Sequence, residues 1–158
     1  MATEIERKFL VSGTPWRKTP GVRLCQGYLN RDKERTVRVR IAGTKAYLTI
    51  KGISRGAARL EFEYEIPSSD AEQLLMLCDS PVVRKIRHTL EYKGSIWEVD
   101  EFLEENAGLV VAEIELQAED QPIERPAWLG REVTHDPRYY NANLAAHPYR
   151  EWRSGEED

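Results

Sequence analysis

Seven short runs of this chain alternate residue by residue between charged and apolar side chains. A period of two belongs to extended backbone, in which successive side chains point to opposite faces of a sheet. In "TEIERKFL" Glu4, Glu6 and Lys8 share one face, and Ile5, Arg7 and Phe9 the other. Arg38 and Arg40 oppose Val37, Val39 and Ile41; Lys51 goes with Tyr47 and Thr49 against Leu48 and Ile50. Glu61, Glu63 and Glu65 oppose Leu60, Phe62, Tyr64 and Ile66. Lys85 and Arg87 flank Ile86, Glu98 and Asp100 alternate with Trp97 and Val99, and Glu113 and Glu115 alternate with Ala112, Ile114 and Leu116. A chain with this pattern is predominantly β, with one face of nearly every strand charged.

Turn residues divide it into eight predicted strands, at 3–11, 22–30, 35–42, 45–52, 60–66, 82–92, 95–103 and 109–117. "AGTK" (42–45) and "YKGS" (92–95) place a glycine in a tight hairpin turn, and "GISRGAA" (52–58) reads as a longer connection. The Gly-Thr-Lys at 43–45 lacks the glycine-rich frame of a phosphate-binding loop, and the hairpin explains it. "SSDAEQLLMLCDS" (68–80) predicts a crossover helix, with Ser69 and Glu72 at capping-box spacing. After Gln121 the pattern becomes proline-punctuated and predicts helical pieces near 125–134 and from 136, where Asp136 caps and Pro137 opens the helix. Residues 1–153 read as a single domain and 154–158 as a disordered tail.

Charged residues make up 32% of the chain, above the roughly 25% usual in globular proteins, so the excess needs a location. One solvated sheet face accounts for any single strand. It accounts poorly for all seven together, because glutamate is a weak strand former and paired like charges repel across a sheet. If the strands close into an eight-stranded antiparallel barrel, the apolar faces turn outward beneath the helices and the charges line the interior. Inside, six cations (Lys8, Arg38, Arg40, Lys51, Lys85, Arg87) would meet eight carboxylates (Glu4, Glu6, Glu61, Glu63, Glu98, Asp100, Glu113, Glu115), a net of −2. Two hard divalent cations on the carboxylates, Mg²⁺ or Mn²⁺, would make such an interior attractive to a polyphosphate. Arginine forks and lysine ammonium groups would then grip the phosphates. Gln26, Tyr28 and Tyr47 share the inferred inner face and are placed to touch an organic group or simply to fill space.

The net charge of −4 argues against non-specific binding to nucleic acid or anionic membranes. There is no apolar run long enough to span a membrane and no signal-peptide pattern, so the expected location is cytoplasmic. Cys25 and Cys78 lack zinc-ligand spacing and read as small buried hydrophobes; His88, His135 and His147 read as structural or surface residues. Apolar outer faces left bare by the helices would offer a homodimer surface.

Glu4-Ile5-Glu6-Arg7-Lys8 matches an ExExK motif, and "VRVR", "LTIKG", "EFEYEI", "KIRH", "WEVDEF" and "AEIEL" follow in order. Across residues 2–117 the chain resembles the CYTH superfamily, the triphosphate tunnel metalloenzymes, and "REVTHDPRYYNANLA" is similar to that family's helical tail. The resemblance implies phosphate binding by Lys8, Arg38, Arg40, Lys51, Lys85 and Arg87, and metal binding by Glu4, Glu6, Glu61, Glu63, Asp100, Glu113 and Glu115. Lys8, Arg40, Glu63 and Glu115 are the expected catalytic set, with Glu63 or Glu115 activating water; Glu65 and Glu98 read as supporting or solvated charges. The implied activity is metal-dependent hydrolysis of a small-molecule triphosphate, with inorganic tripolyphosphate favoured. The rivals are thiamine triphosphatase, class IV-type adenylyl cyclase and a non-catalytic triphosphate sensor.

Overall fold

The computed structural model describes residues 2–78 and 81–152. Its strands are β1 (Thr3–Val11), β2 (Gly21–Asn30), β3 (Arg35–Ala42), β4 (Lys45–Gly52), β5 (Ala58–Ile66), β6 (Val83–Tyr92), β7 (Ser95–Phe102), β8 (Val110–Glu115) and β9 (Leu129–Glu132). Helix α1 is Ser68–Met76 and α2 is Asn141–Ala146. The first eight strands run β5-β4-β3-β2-β6-β7-β8-β1, all antiparallel, and β1 pairs back onto β5 through Thr3–Leu60, Glu4–Arg59 and Ile5–Ala58. The barrel is therefore closed, as the alternation predicts.

Register carries the charged face from strand to strand. Lys51 lies opposite Glu61, Thr49 sits between Arg38 and Glu63, and Arg40 is opposite Gln26. Arg87 is opposite Asp100, Glu98 opposite Glu113, Lys8 opposite Glu113 and Glu6 opposite Glu115. A one-residue slip would invert a whole strand, so the buried apolar exterior and the turns fix each register. The two hairpin turns have the left-handed backbone their sequences call for, at Gly43 (φ 61°) and at Lys93 and Gly94 (φ 48° and 82°).

The hydrophobic core lies outside the barrel. Phe9, Trp97, Val99, Ala112 and Ile114, on β1, β7 and β8, are covered by Trp16 and by Ile123, Trp128 and Leu129. Trp97 is completely buried; removing an aromatic of its size from water contributes about 4–6 kcal/mol. Helix α1 packs Ala71, Leu74 and Leu75 on Val39 and Ala46, and the C-terminal segment packs Tyr139, Leu144 and Ala145 on Val83, Phe102 and Val111. Leu60, Phe62 and Tyr64 on the outer face of β5 are left exposed.

Several expectations change. The helical piece near 125–134 is a turn followed by β9, because β1 leaves β5 after Ile5 and offers an unpaired edge, which β9 fills through Phe9–Glu132 and Val11–Leu129. Gly130 permits the approach: a β-carbon there would meet the Leu10 carbonyl oxygen at 2.9 Å. The capping box does not form; Pro67 is the residue before α1, no side chain caps it, and the Ser68 hydroxyl donates instead to the Thr44 carbonyl. The helix stops at Met76, while the predicted end at 79–80 and the tail at 154–158 lie outside the described residues. Asp136 does cap, accepting from the Arg138 amide, but the turn it opens is a 3₁₀ turn (Pro137–Tyr139) ahead of α2. Cys25 and Cys78 are half-buried rather than buried, and the Cys78 thiol donates to the Leu74 carbonyl.

Candidate active site

The barrel interior is a cavity of about 450 Å³, within the size range of small-molecule sites. All six cations expected from the sequence line it, as do Glu4, Glu6, Glu61, Glu63, Glu98, Glu113 and Glu115. Three further basic residues do too: Arg31 and Lys33 from the β2–β3 loop, and Arg59 from the start of β5. Nine basic and seven acidic side chains give the lining a formal excess of two positive charges, reversing the sign of the sequence tally. Arg59 has the same strand parity as Glu61 and Glu63, and one more residue of predicted strand would have exposed it. Arg31 and Lys33 sit in a loop that no periodicity reports.

The charges form linked groups. Near the β1–β5 closure, Glu4 accepts from Lys51 Nζ at 2.7 Å and from Arg59 Nε at 3.2 Å, and Lys51 also lies 3.2 Å from Glu61. Lys8 Nζ lies 3.6 Å from Glu113 and 3.8 Å from Glu6, over the ring of Tyr140. Burial works against the Lys8 ammonium, but Glu113 and Glu6 outweigh it and raise its pKa. Arg38 donates to Thr49 Oγ1 at 3.2 Å and to Glu63 at 3.4 Å, and the Thr49 hydroxyl donates to the same Glu63 oxygen at 2.9 Å. Among the described residues the buried Nε of Arg38 has no hydrogen-bond partner, a donor left for a ligand.

Asp100 stands apart. It is fully buried and absent from the cavity lining; Lys85 donates to it at 2.7 Å, and Arg87 holds both oxygens at 2.8 and 2.9 Å. Against the cost of burial, Arg87 and Lys85 hold its carboxyl far below the usual range. It behaves as an anchor for two cations, not as an oxygen open to a metal. Arg87 also reaches Glu98 at 3.4 Å and Glu113 at 3.5 Å. Burial, with Arg87 and Arg40, outweighs Asp100 and lowers Lys85 to about 7. Arg40 is lowered to about 9 by burial and by Arg38 and Arg87.

The other carboxylates are crowded. Burial and Glu113 raise Glu6; burial, Glu4 and Glu6 raise Glu115; burial raises Glu98. Such like-charge crowding in an all-oxygen set suits a hard divalent cation. Among the described residues no three carboxylates converge on one point. Of the inner-face polar residues, Tyr28 lines the cavity, Gln26 lies behind it on Arg40, and Tyr47 and Glu65 are not in the lining.

A closed antiparallel barrel with an apolar outside and an interior of paired arginines, lysines and carboxylates defines a polyanion-binding tunnel. The CYTH domain model matches residues 2–149, and the chain belongs to that family. It is 51% identical over 155 residues to an inorganic triphosphatase of Acetivibrio thermocellus, covering 97% of this chain and 99% of that one. An inorganic triphosphatase of Nitrosomonas europaea is 37% identical over 147 residues, covering 90% and 97%. A crystal structure of an inorganic triphosphatase superposes with a TM-score of 0.67 at 36% identity, covering 92% of this chain and 95% of that one. Among the described residues no helix is long and apolar enough to cross a membrane.

Proposed function

We propose that this chain hydrolyses inorganic tripolyphosphate to pyrophosphate and phosphate. The observation that carries the reading is the lining itself: lysines and arginines from β1, β3, β4 and β6 converge on one cavity of triphosphate-compatible size. The inorganic triphosphatases at 51% and 37% identity support the choice of substrate.

Lys8, Arg38, Arg40, Lys51, Lys85 and Arg87 bind and orient the phosphates, and the cationic interior stabilises charge passing to the leaving pyrophosphate. Water attacks the terminal phosphorus, the bridging P–O bond breaks, and the pyrophosphate oxygen keeps the electron pair. Glu115 is the better proton acceptor of the two expected, because Glu63 already accepts from Thr49 and Arg38. Tripolyphosphate carries more negative charge than the excess in the lining balances, so divalent cations complete the site. Glu4, Glu6, Glu113 and Glu115, on adjoining strands, would hold Mg²⁺ or Mn²⁺, two ions in all, with Glu61 and Glu63 beside them. Held there, the metal would supply Lewis-acid charge neutralisation.

The test is phosphate release from tripolyphosphate, ATP, thiamine triphosphate and pyrophosphate, each with Mg²⁺, with Mn²⁺ and with chelator. Release greatest from tripolyphosphate and abolished by chelator is expected. Undiminished release in chelator overturns the metal assignment, and cyclic AMP formed from ATP points to the cyclase.

A further inference from the structure

Two cations of the cavity, Arg40 and Lys85, are joined by a pair of neutral amides. Arg40 Nε donates to Gln26 Oε1 at 2.8 Å. Gln26, completely buried on β2, donates through Nε2 to Asn141 Oδ1 and to Tyr28 Oη, both at 3.2 Å. Asn141, the first residue of α2, accepts a second hydrogen bond at the same oxygen from Lys85 Nζ, at 2.9 Å. Guanidinium and ammonium groups only donate, so the two ends of this chain dictate the orientation of both amides. Gln26 must turn its oxygen to Arg40, which leaves its NH₂ for Asn141, and Asn141 must then present its oxygen to Gln26 and Lys85.

An amide is the side chain this position requires. A carboxylate at 141 would make the same contacts but cancel a charge needed for phosphate, and one at 26 would also have no donor for the Asn141 oxygen. An apolar residue would leave buried donors of a cation without an acceptor, which is costly. Asp100 already neutralises part of Lys85 and Arg87; the amides orient without neutralising.

We propose that Gln26 and Asn141 are positioning residues of the triphosphate site, a neutral relay by which the C-terminal helix α2 holds Lys85 and Arg40 in register for phosphate. The inference rests on the triphosphatase reading for its consequence in turnover, and on geometry alone for the relay. Gln26 does not line the cavity and acts through Arg40, whereas Asn141 reaches the lining itself.

Three variants test it, Asn141→Ala, Asn141→Asp and Gln26→Glu, with KM and kcat for tripolyphosphate and thermal midpoints measured on each. A hydrogen bond to a charged group is worth roughly tenfold to a hundredfold in an equilibrium. Asn141→Ala should raise KM by that factor, with kcat changed less. Asn141→Asp, almost the same shape, should keep or raise the thermal midpoint while raising KM at least as much, a split that a purely structural role would not produce; Gln26→Glu should raise KM through Arg40 and, having lost the donor to Asn141, lower the thermal midpoint as well. Native turnover with KM within about twofold of native in all three variants overturns the relay and leaves the triphosphatase reading standing. If the native chain neither binds nor hydrolyses tripolyphosphate, that reading falls, and the relay is judged by the Arg40 Nε–H signal in ¹⁵N NMR. Slow hydrogen exchange in the native chain and faster exchange in Asn141→Ala supports it; equal exchange in both overturns it.

Discussion

Arg7 and Lys8 are neighbours in sequence and point to opposite sides of the barrel wall, so they separate stability from catalysis in one dipeptide. Outside, Arg7 holds Glu132 of β9 through Nε at 2.8 Å and Nη2 at 2.6 Å, with side-chain exposures of 21% and 32%. Hydrogen bonds between charged groups contribute about 1.5–3 kcal/mol when shielded, and exposed pairs about 0.2–1 kcal/mol. For this half-shielded bidentate pair, Arg7→Ala should cost about 1–2 kcal/mol. At about 2–4 °C per kcal/mol for a chain of this size, the thermal midpoint should fall by about 2–8 °C. Inside, Lys8 is buried between Glu113 and Glu6. Lys8→Ala deletes a phosphate contact and leaves two carboxylates facing the substrate, a loss of about 3–4 kcal/mol, as for removing one donor to developing transition-state charge, or roughly 10²–10³ in kcat/KM. Both variants are assayed for phosphate release from tripolyphosphate well below their midpoints, and for thermal unfolding. A Lys8→Ala protein with near-native turnover, or an Arg7→Ala protein that is stable but catalytically crippled, would refute the placement of the charged face.

Gly130→Val should lower the thermal midpoint by about 2–12 °C, since a β-carbon against the Leu10 carbonyl forces β9 off β1 at about 1–3 kcal/mol; differential scanning calorimetry reads it, and an unchanged midpoint contradicts the tight approach. Tripolyphosphate binding in the alkaline range should take up protons, because burial lowers the Lys85 ammonium from its ordinary value and a bound phosphate favours its charged form. Titration calorimetry in two buffers of different ionisation enthalpy measures the uptake, which should shrink in Lys85→Met. The same lowering has a sign in stability: above about pH 7 the unfolded chain holds the Lys85 proton that the folded chain has lost, so this group makes stability rise with pH up to its ordinary value near 10.5. Urea unfolding of native and Lys85→Met proteins across that range should show a slope in the first that is weaker in the second.

Strand parity made the interior legible because it is a local property: Glu4, Glu6 and Lys8 share a face whatever they later meet. The eight barrel strands lie within about two residues of the alternating runs for this reason. What the sequence concealed depends on partners far along the chain. β9 is a strand because β1 has a bare edge there, and its own composition suggested a helix. Asp100 has the parity of a metal ligand, yet Lys85 and Arg87 take both its oxygens. Gln26 and Asn141 lie 115 residues apart and carry no charge, so neither stood out as part of the cation network.

The most direct measurement is ³¹P NMR of tripolyphosphate incubated with the native protein and Mg²⁺. Loss of the substrate signals with equimolar growth of pyrophosphate and phosphate is the expected result. Broadening of the tripolyphosphate signals with no product would make the tunnel a binding site without hydrolysis, and an unchanged spectrum would contradict a triphosphate site altogether.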